Sequence, residues 1–108
     1  MRAFRPISFC VVPAGQKLIG AVTLYEDTWL NHIIIRHPEV NGALQMVEQT
    51  VSTPSRIYAS TSVTGSFLFV MDGMVDATGR LLRIAVGADC LVKSAYFSSA
   101  PGGNQLWP

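Results

Sequence analysis

The spacing of apolar and polar residues changes along the chain, and each change marks a predicted element. Residues 7 to 12 and 18 to 24 are short, β-branched apolar runs separated by the turn-forming residues 13 to 16. Such runs predict two strands or extended arms joined by a turn. From residue 29 to residue 37 the apolar positions repeat with the period of a helix instead. The N-terminal part therefore predicts strands followed by a helix.

The first predicted helix has an apolar face that includes a histidine. At about 100° per residue, one continuous arc contains Trp29, Leu30, Ile33, Ile34 and His37. Pro38 ends the helix, because the residue before a proline is pushed out of the α region. His37 is therefore predicted at the helix end, with its ring aimed at the core or into a cleft.

Polar residues border this apolar arc. His32 and Arg36 are four residues apart and are therefore neighbours on the helix surface. Glu26 and Asp27 fall in the first turn, where the helix dipole favours acids. Both histidines of the chain and an arginine thus lie within six residues of one amphipathic helix.

The rest of the chain predicts one more helix and then strands. The second helix is expected over residues 43 to 52, and the alternating pattern that follows predicts four strands at residues 56–61, 66–71, 80–86 and 91–97. Short, turn-like connections favour an antiparallel meander. The predicted fold class is α+β, with two N-terminal helices packed on one face of a four-stranded antiparallel sheet. The tail from residue 98 is predicted to be a loop unless Leu106 and Trp107 dock it.

Alternation along the strands predicts which side chains can share a cleft. In the last strand, Val92 and Tyr96 are expected to face one way and Lys93 the other. Only one of Ser60 and Thr61 can join the face of Tyr96. By the same rule, Arg83 in the third strand is expected on the exposed face of the sheet, where a ligand could reach it.

Length and composition are those of a single domain. The 108 residues are 49% hydrophobic, which is enough for one core. Residues 22 to 108 are predicted to form that core, and residues 1 to 21 the N-terminal strands or arms. No apolar run approaches the length of a bilayer span and no secretion signal is recognisable, so a cytoplasmic protein is expected. Cys10 and Cys90 have no metal-binding or redox spacing and are expected to be free thiols, although a disulfide stays possible.

Charge limits the ways in which the chain can bind nucleic acid. Eight Lys and Arg against seven Asp and Glu give a net charge of +1, and 14% of residues are charged. Proteins that bind the phosphate backbone broadly have a basic patch. Contact with nucleic acid would therefore use a small local site. Apart from Arg36, the basic residues are Arg2, Arg5, Lys17, Arg56, Arg80, Arg83 and Lys93.

The order of these motifs resembles a known group of proteins. The first helix reads Trp29-x-x-His32-x-x-x-Arg36-His37-Pro38-Glu39, and Pro54, Ser60, Tyr96 and a terminal Leu106-Trp107 follow. This order is similar to that of small bacterial and phage proteins assigned to the barnase, EndoU, colicin and RelE-like (BECR) nuclease superfamily. The resemblance covers roughly residues 22 to 108. Its most specific part is the run from Arg36 to Glu39 together with Ser60 and Tyr96.

The resemblance implies a small toxin or effector ribonuclease that needs no metal or other cofactor. Its partners would be RNA, either single-stranded or tRNA, and an antitoxin or immunity protein. A base would take the 2′-hydroxyl proton, the alkoxide would attack phosphorus, and an acid would protonate the leaving oxygen. His32 and His37 would supply base and acid, since imidazole titrates near neutral pH. Arg36 would hold the phosphate through its planar fork.

Further site residues follow from the resemblance. Ser60 or Thr61, together with Tyr96, would hydrogen-bond phosphate oxygens or orient a histidine. The implied catalytic set is His32, Arg36, His37, Ser60 and Tyr96. The implied substrate-binding set is Thr61, Arg83 and Lys93.

Other interpretations of the same residues remain open. In one alternative, His37 is a core histidine that closes the helix end, Arg36 caps the last carbonyls, and Tyr96 is a half-buried sheet aromatic. On that interpretation the protein is a non-catalytic binder or a phage-borne inhibitor that uses the same cleft. A metal hydrolase is disfavoured, because the sequence has no helical His-x-x-x-His pair and no clustered carboxylates.

Overall fold

Residues 6 to 99 and 103 to 108 are described by a computed structural model of the protein, and they form an α+β fold. The strands are β1 (Ile7–Val11), β2 (Val22–Tyr25), β3 (Arg56–Ala59), β4 (Phe67–Val70), β5 (Leu81–Val86), β6 (Val92–Ser98) and β7 (Gln105–Trp107). The helices are α1 (residues 26 to 36) and α2 (Leu44–Ser52), and a short 3-10 turn, Pro38–Val40, lies between them. The first five residues of the predicted N-terminal arm and residues 100 to 102 of the predicted tail lie outside the described residues.

The main sheet has five strands in the order β6-β5-β4-β3-β7, and every neighbouring pair is antiparallel. The predicted meander of β3 to β6 is therefore present. The sheet was predicted to have four strands, but the tail adds a fifth strand, β7, in which Trp107 pairs with Ile57 of β3. The backbone approaches closely just before β7, where a Cβ on Gly103 would clash with the carbonyl oxygen of Ala59. Only glycine fits there.

The N-terminal residues form a separate antiparallel hairpin of β1 and β2. The second strand begins at Val22 rather than at residue 18 as predicted. The Gln16 side chain accounts for this difference, since its Oε1 accepts hydrogen bonds from the backbone N–H groups of Leu18 and Ile19. Phe9, Val22 and Leu24 belong to the core cluster. The hairpin is thus packed into the domain.

Helix α1 is not a regular α-helix. Its middle, Trp29–Ile33, is a π-helical segment in which the N–H of Ile34 donates to the carbonyl of Trp29. The wider turn rotates Leu30 out of the predicted apolar arc, so that Leu30 is 47% exposed while Trp29 and Ile33 are buried. The helix ends at Arg36, and His37 follows it with non-helical backbone angles before Pro38.

Both helices pack on the same face of the main sheet. Val47 and Val51 of α2 and Ile33 of α1 share the core with Leu82 and Ile84, which point inward from β5. The alternate side chains of β5 and β6 point to the other face of the sheet. Across residues 6 to 99 and 103 to 108, no helix is long and apolar enough to cross a membrane.

Candidate functional site

An open cleft of about 620 Å³ lies where the end of α1 meets the β3–β4 connection and strands β5 and β6. Arg36 reaches it from α1, Ser60 from the end of β3, and Lys93 and Tyr96 from β6. These four residues were predicted to act at one site, and the structure places them around one cleft. In the described part of the chain, no carboxylate is among the residues that line it.

Serine hydroxyls supply much of the remaining polar surface. Ser62 and Ser66 lie on the β3–β4 connection, and Ser94 is next to Lys93 on β6. Ser60 also shapes this connection, because its Oγ accepts hydrogen bonds from the N–H groups of Ser62 and Val63 at 3.2 and 3.3 Å. The concentration of serines between residues 60 and 66 was the sequence signal that would have identified this wall. Hydroxyls beside two cations suit an anionic ligand.

Lys93 reaches the cleft because of a β-bulge. Ala85 pairs with Ser94 and Val86 pairs with Val92, so Lys93 is an extra residue on β6. The bulge breaks the predicted alternation, and Val92 points into the core instead of sharing the face of Tyr96. That prediction was wrong because the extra residue reverses the face of the sheet to which the preceding side chains of the strand point. Lys93 itself is exposed and faces the cleft.

Asp89 holds the ammonium group of Lys93 at the edge of the cleft. Their Nζ and Oδ2 atoms are 2.7 Å apart, and the hydrogen bond from Lys93 lowers the pKa of Asp89. Gly87 leaves room for this pair, since a Cβ there would lie 2.7 Å from both Lys93 Cε and Asp89 Oδ1. The cation is positioned but remains accessible to a competing anion.

His37 lies against the ring of Tyr96. Their ring centroids are 5.4 Å apart, with the planes tilted by 32°. The Nδ1 atom of His37 is 3.6 Å from Oε2 of Glu39, and both side chains are partly exposed. His37 is thus in contact with a cleft residue without being among the residues that line the cleft.

His32 is in a different depression. This second pocket, of about 340 Å³, is lined on α1 by Asp27, Thr28, Asn31 and His32, and on β6 and the residue before it by Leu91, Val92 and Lys93. The two histidines that were predicted to work together are therefore not lining residues of the same cavity. Lys93 is shared by both depressions.

The two other predicted substrate-binding residues do not line the cleft. Thr61 is exposed, and its methyl group lies near the position that a Cβ on Gly103 would take. Arg83 is only 7% exposed, which contradicts its predicted exposure. It lies on an interior strand opposite Tyr96. Its Nε is buried and has no hydrogen-bond partner within the described residues.

Within residues 6 to 99 and 103 to 108, metal-binding side chains do not cluster. Among the residues that the structure describes, no three His, Cys, Asp or Glu side chains are close enough together to hold a metal ion. Cys10 and Cys90 are both free thiols. Cys10 lies opposite Thr23 in the hairpin, and the Thr23 hydroxyl donates to its sulfur at 3.3 Å.

Comparisons with models of known protein families, with curated proteins and with solved structures gave no match. The fold and the site therefore carry the functional argument. They define an α+β domain with a serine-rich cleft in which an arginine and a lysine face a tyrosine.

Proposed function

We propose that the protein is a metal-independent endoribonuclease that binds an RNA phosphodiester in the cleft of Arg36, Lys93 and Tyr96. One observation carries this proposal: residues distant in sequence form a locally cationic cleft on a chain whose net charge is only +1. The absence of a lining carboxylate in the described residues removes a source of repulsion for phosphate. A local site of this kind is what a nearly neutral RNA-binding protein needs.

The proposed reaction is an attack by the ribose 2′-oxygen on the adjacent phosphorus. A base removes the 2′-hydroxyl proton, the bond to the 5′-oxygen breaks, and an acid protonates that oxygen. The products are a 2′,3′-cyclic phosphate and a free 5′-hydroxyl. Arg36 and Lys93 stabilise the charge that develops on the non-bridging oxygens. His32, which lines the second depression, and His37, which contacts Tyr96, are the base and acid of the proposed reaction.

Two helices followed by the β3–β6 meander also support a proposed distant relationship to the BECR nuclease superfamily. In this interpretation the four strands of the meander carry the site, while β7 and the N-terminal hairpin are additions. The position of Arg36, Ser60 and Tyr96 around one cleft supports the same view. A toxin or effector of this type acts in the cytoplasm, where RNA is found, and an antitoxin or immunity protein would cover the cleft.

Removing the phosphate-binding cation tests this proposal. Arg36→Ala should lower kcat/KM for RNA by about 100-fold, the usual effect of losing one preorganised donor to a developing negative charge. Purified wild-type and variant proteins are compared on total tRNA and on a generic single-stranded RNA in excess EDTA. Lys17→Ala is the matched control, because Lys17 is an exposed cation that does not line the cleft.

Folding of each variant is checked by circular dichroism. Activity of Arg36→Ala equal to that of Lys17→Ala would remove Arg36 from the mechanism. Lack of cleavage of any RNA by the wild-type protein would reject the enzymatic proposal itself.

The second candidate is a non-catalytic binding protein or phage-borne inhibitor that uses the same cleft. Exposed apolar side chains near the cleft favour it: Val63 lines the cleft and is 59% exposed, and Ile35, next to Arg36, is 71% exposed. Such residues are common in protein-binding surfaces. This candidate predicts that the wild-type protein binds its partner and leaves RNA intact.

A further inference from the structure

Two depressions lie between α1 and β6, and because Lys93 lines both of them we refer to the two together as the groove. On the helix side, Asn31 and His32 line one depression and Arg36 the other, and on the strand side the lining residues are Leu91 to Ser94 and Tyr96. His32 and Arg36 are one turn apart on α1 but line different depressions. Lys93 lines both and therefore marks the junction.

Two irregularities of the backbone shape this junction. The π-helical segment Trp29–Ile33 contains Asn31 and His32, and the β-bulge contains Lys93. Each lets a polar side chain leave the position that regular structure would give it. Irregularities of both kinds are frequent at functional sites, where they re-aim side chains. Here one on each wall directs polar groups into the same groove.

We infer that the depression of Thr28, Asn31 and His32, which we name the second subsite, binds a second nucleotide of the same RNA strand. The inference rests on the proposed ribonuclease function. The substrate is then a single-stranded segment of at least two nucleotides. Its scissile phosphate lies at Lys93, with one nucleotide in the 620 Å³ cleft and the next in the 340 Å³ subsite.

The chemistry of the second subsite suits a base better than a phosphate. Asp27 lines it, and a carboxylate repels a phosphate group. Leu91 and Val92 give it an apolar wall, while Asn31 offers a side-chain amide of the kind that contacts base edges. The amide nitrogen of Asn31 donates to Asp27 Oδ1 at 2.7 Å, which fixes the orientation of the amide. The phosphate is thus directed to Lys93 and the base to the second subsite.

Binding of uncleavable ligands tests this inference independently of catalysis. The two probes are a fluorescent 2′-O-methyl dinucleoside monophosphate and a fluorescent 2′-O-methyl nucleoside 3′-(methyl phosphate), which share one singly charged phosphodiester and differ by one nucleoside. Fluorescence anisotropy should show the dinucleotide binding about tenfold more tightly to the wild-type protein, the gain expected from one or two added hydrogen bonds and apolar contact.

Substitutions in the second subsite should remove only the added affinity for the dinucleotide. Asn31→Ala and the near-isosteric Thr28→Val should each weaken dinucleotide binding by about fivefold and leave mononucleotide binding unchanged. Lys93→Ala should weaken both. The matched control is Gln45→Ala, which removes an exposed side-chain amide on α2 that lies outside the groove.

The outcomes separate the inference from the proposed function. Equal affinities for the two probes, or equal weakening of both by Asn31→Ala and Thr28→Val, would overturn the second subsite even if RNA is cleaved. Selective loss of dinucleotide binding in a protein that cleaves no RNA would support the subsite and reject the nuclease. Failure of the wild-type protein to bind either probe would reject both.

Discussion

Lys93 has a partner that competes with the proposed substrate. Its ammonium group is bonded to Asp89 Oδ2, and that hydrogen bond lowers the pKa of Asp89, so the carboxylate is charged at neutral pH. Both side chains are about half exposed, and the pair is therefore weak. An RNA phosphate at the junction can replace Asp89 as the partner of Lys93.

Neutralising Asp89 should strengthen RNA binding. We expect Asp89→Asn to lower the Kd for a 2′-O-methyl oligonucleotide by about two- to fivefold at low salt, the range that corresponds to an exposed ion pair. The amide keeps an oxygen for the N–H of Leu91, which Asp89 Oδ1 accepts in the structure. The measurement is fluorescence anisotropy at two salt concentrations, because the gain should shrink as salt screens the charges.

Asp72→Asn is the control for this change. Asp72 also forms an ion pair, with Arg56, but neither residue lines the groove. Weaker binding in Asp89→Asn, or an equal gain in Asp72→Asn, would contradict the assigned role of Lys93.

Single residues of the cleft differed in how far sequence could predict them. Arg36, Ser60 and Tyr96 were found because a resemblance in motif order pointed to them, and helix end and strand parity agreed with it. Lys93 was predicted to bind substrate, but its side chain was expected on the face of the sheet opposite to that of Tyr96. The error arose because nothing in the local sequence marks Lys93 as the extra residue of the bulge. Asn31 was not singled out, because its position depends on the π-helical turn.

Helix α1 determines the geometry of one wall of the groove. In a regular α-helix Leu30 would join Trp29 and Ile33 on the apolar face, but the π-helical turn leaves it 47% exposed. The exposure of the Leu30 side chain therefore indicates whether the π-helical turn is present. The same turn presents Asn31 and His32 to the groove.

Truncation of the two aliphatic residues should have very different effects. Ile33→Ala should lower the free energy of unfolding by about 3 kcal/mol, since it leaves a cavity in the core. Leu30→Ala should cost less than about 1 kcal/mol, because only part of that side chain is buried. Urea denaturation followed by circular dichroism measures both. Similar losses in the two variants would mean that Leu30 packs in the core and that the helix is regular.

Most elements were predictable from the period of apolar residues. Helix α2 and the four strands of the meander lie within a few residues of their predicted bounds, since their patterns are regular and their turns are marked. The sequence did not decide whether the tail forms strand β7, because three residues are too few to show a period. The pairing of β7 depends on the close approach of the backbone at Gly103. The start of β2 was predicted at residue 18 instead of Val22, because the side chain of Gln16 accepts hydrogen bonds from the backbone N–H groups of Leu18 and Ile19.

At the scale of the whole molecule, only two of the basic residues that the structure describes, Arg36 and Lys93, line the groove. A net charge of +1 gives no broad attraction for RNA, so binding depends on Arg36 and Lys93 in the groove. The α+β class could be predicted from sequence, whereas the meeting of the two depressions at Lys93 depends on tertiary packing of α1 against β6. Their adjacency extends the proposed substrate from one nucleotide to a strand.

The most direct test of the ribonuclease proposal removes one 2′-hydroxyl from the substrate. After the cut site in a short RNA has been mapped, the same oligonucleotide is made with a 2′-deoxy sugar only at the nucleotide on the 5′ side of that bond. Both are incubated with wild-type protein in excess EDTA, and the product ends are identified by mass spectrometry. We expect a 2′,3′-cyclic phosphate from the RNA and no cleavage of that bond in the deoxy substrate. Cleavage of the deoxy bond, or a product with a 5′-phosphate, would contradict the mechanism.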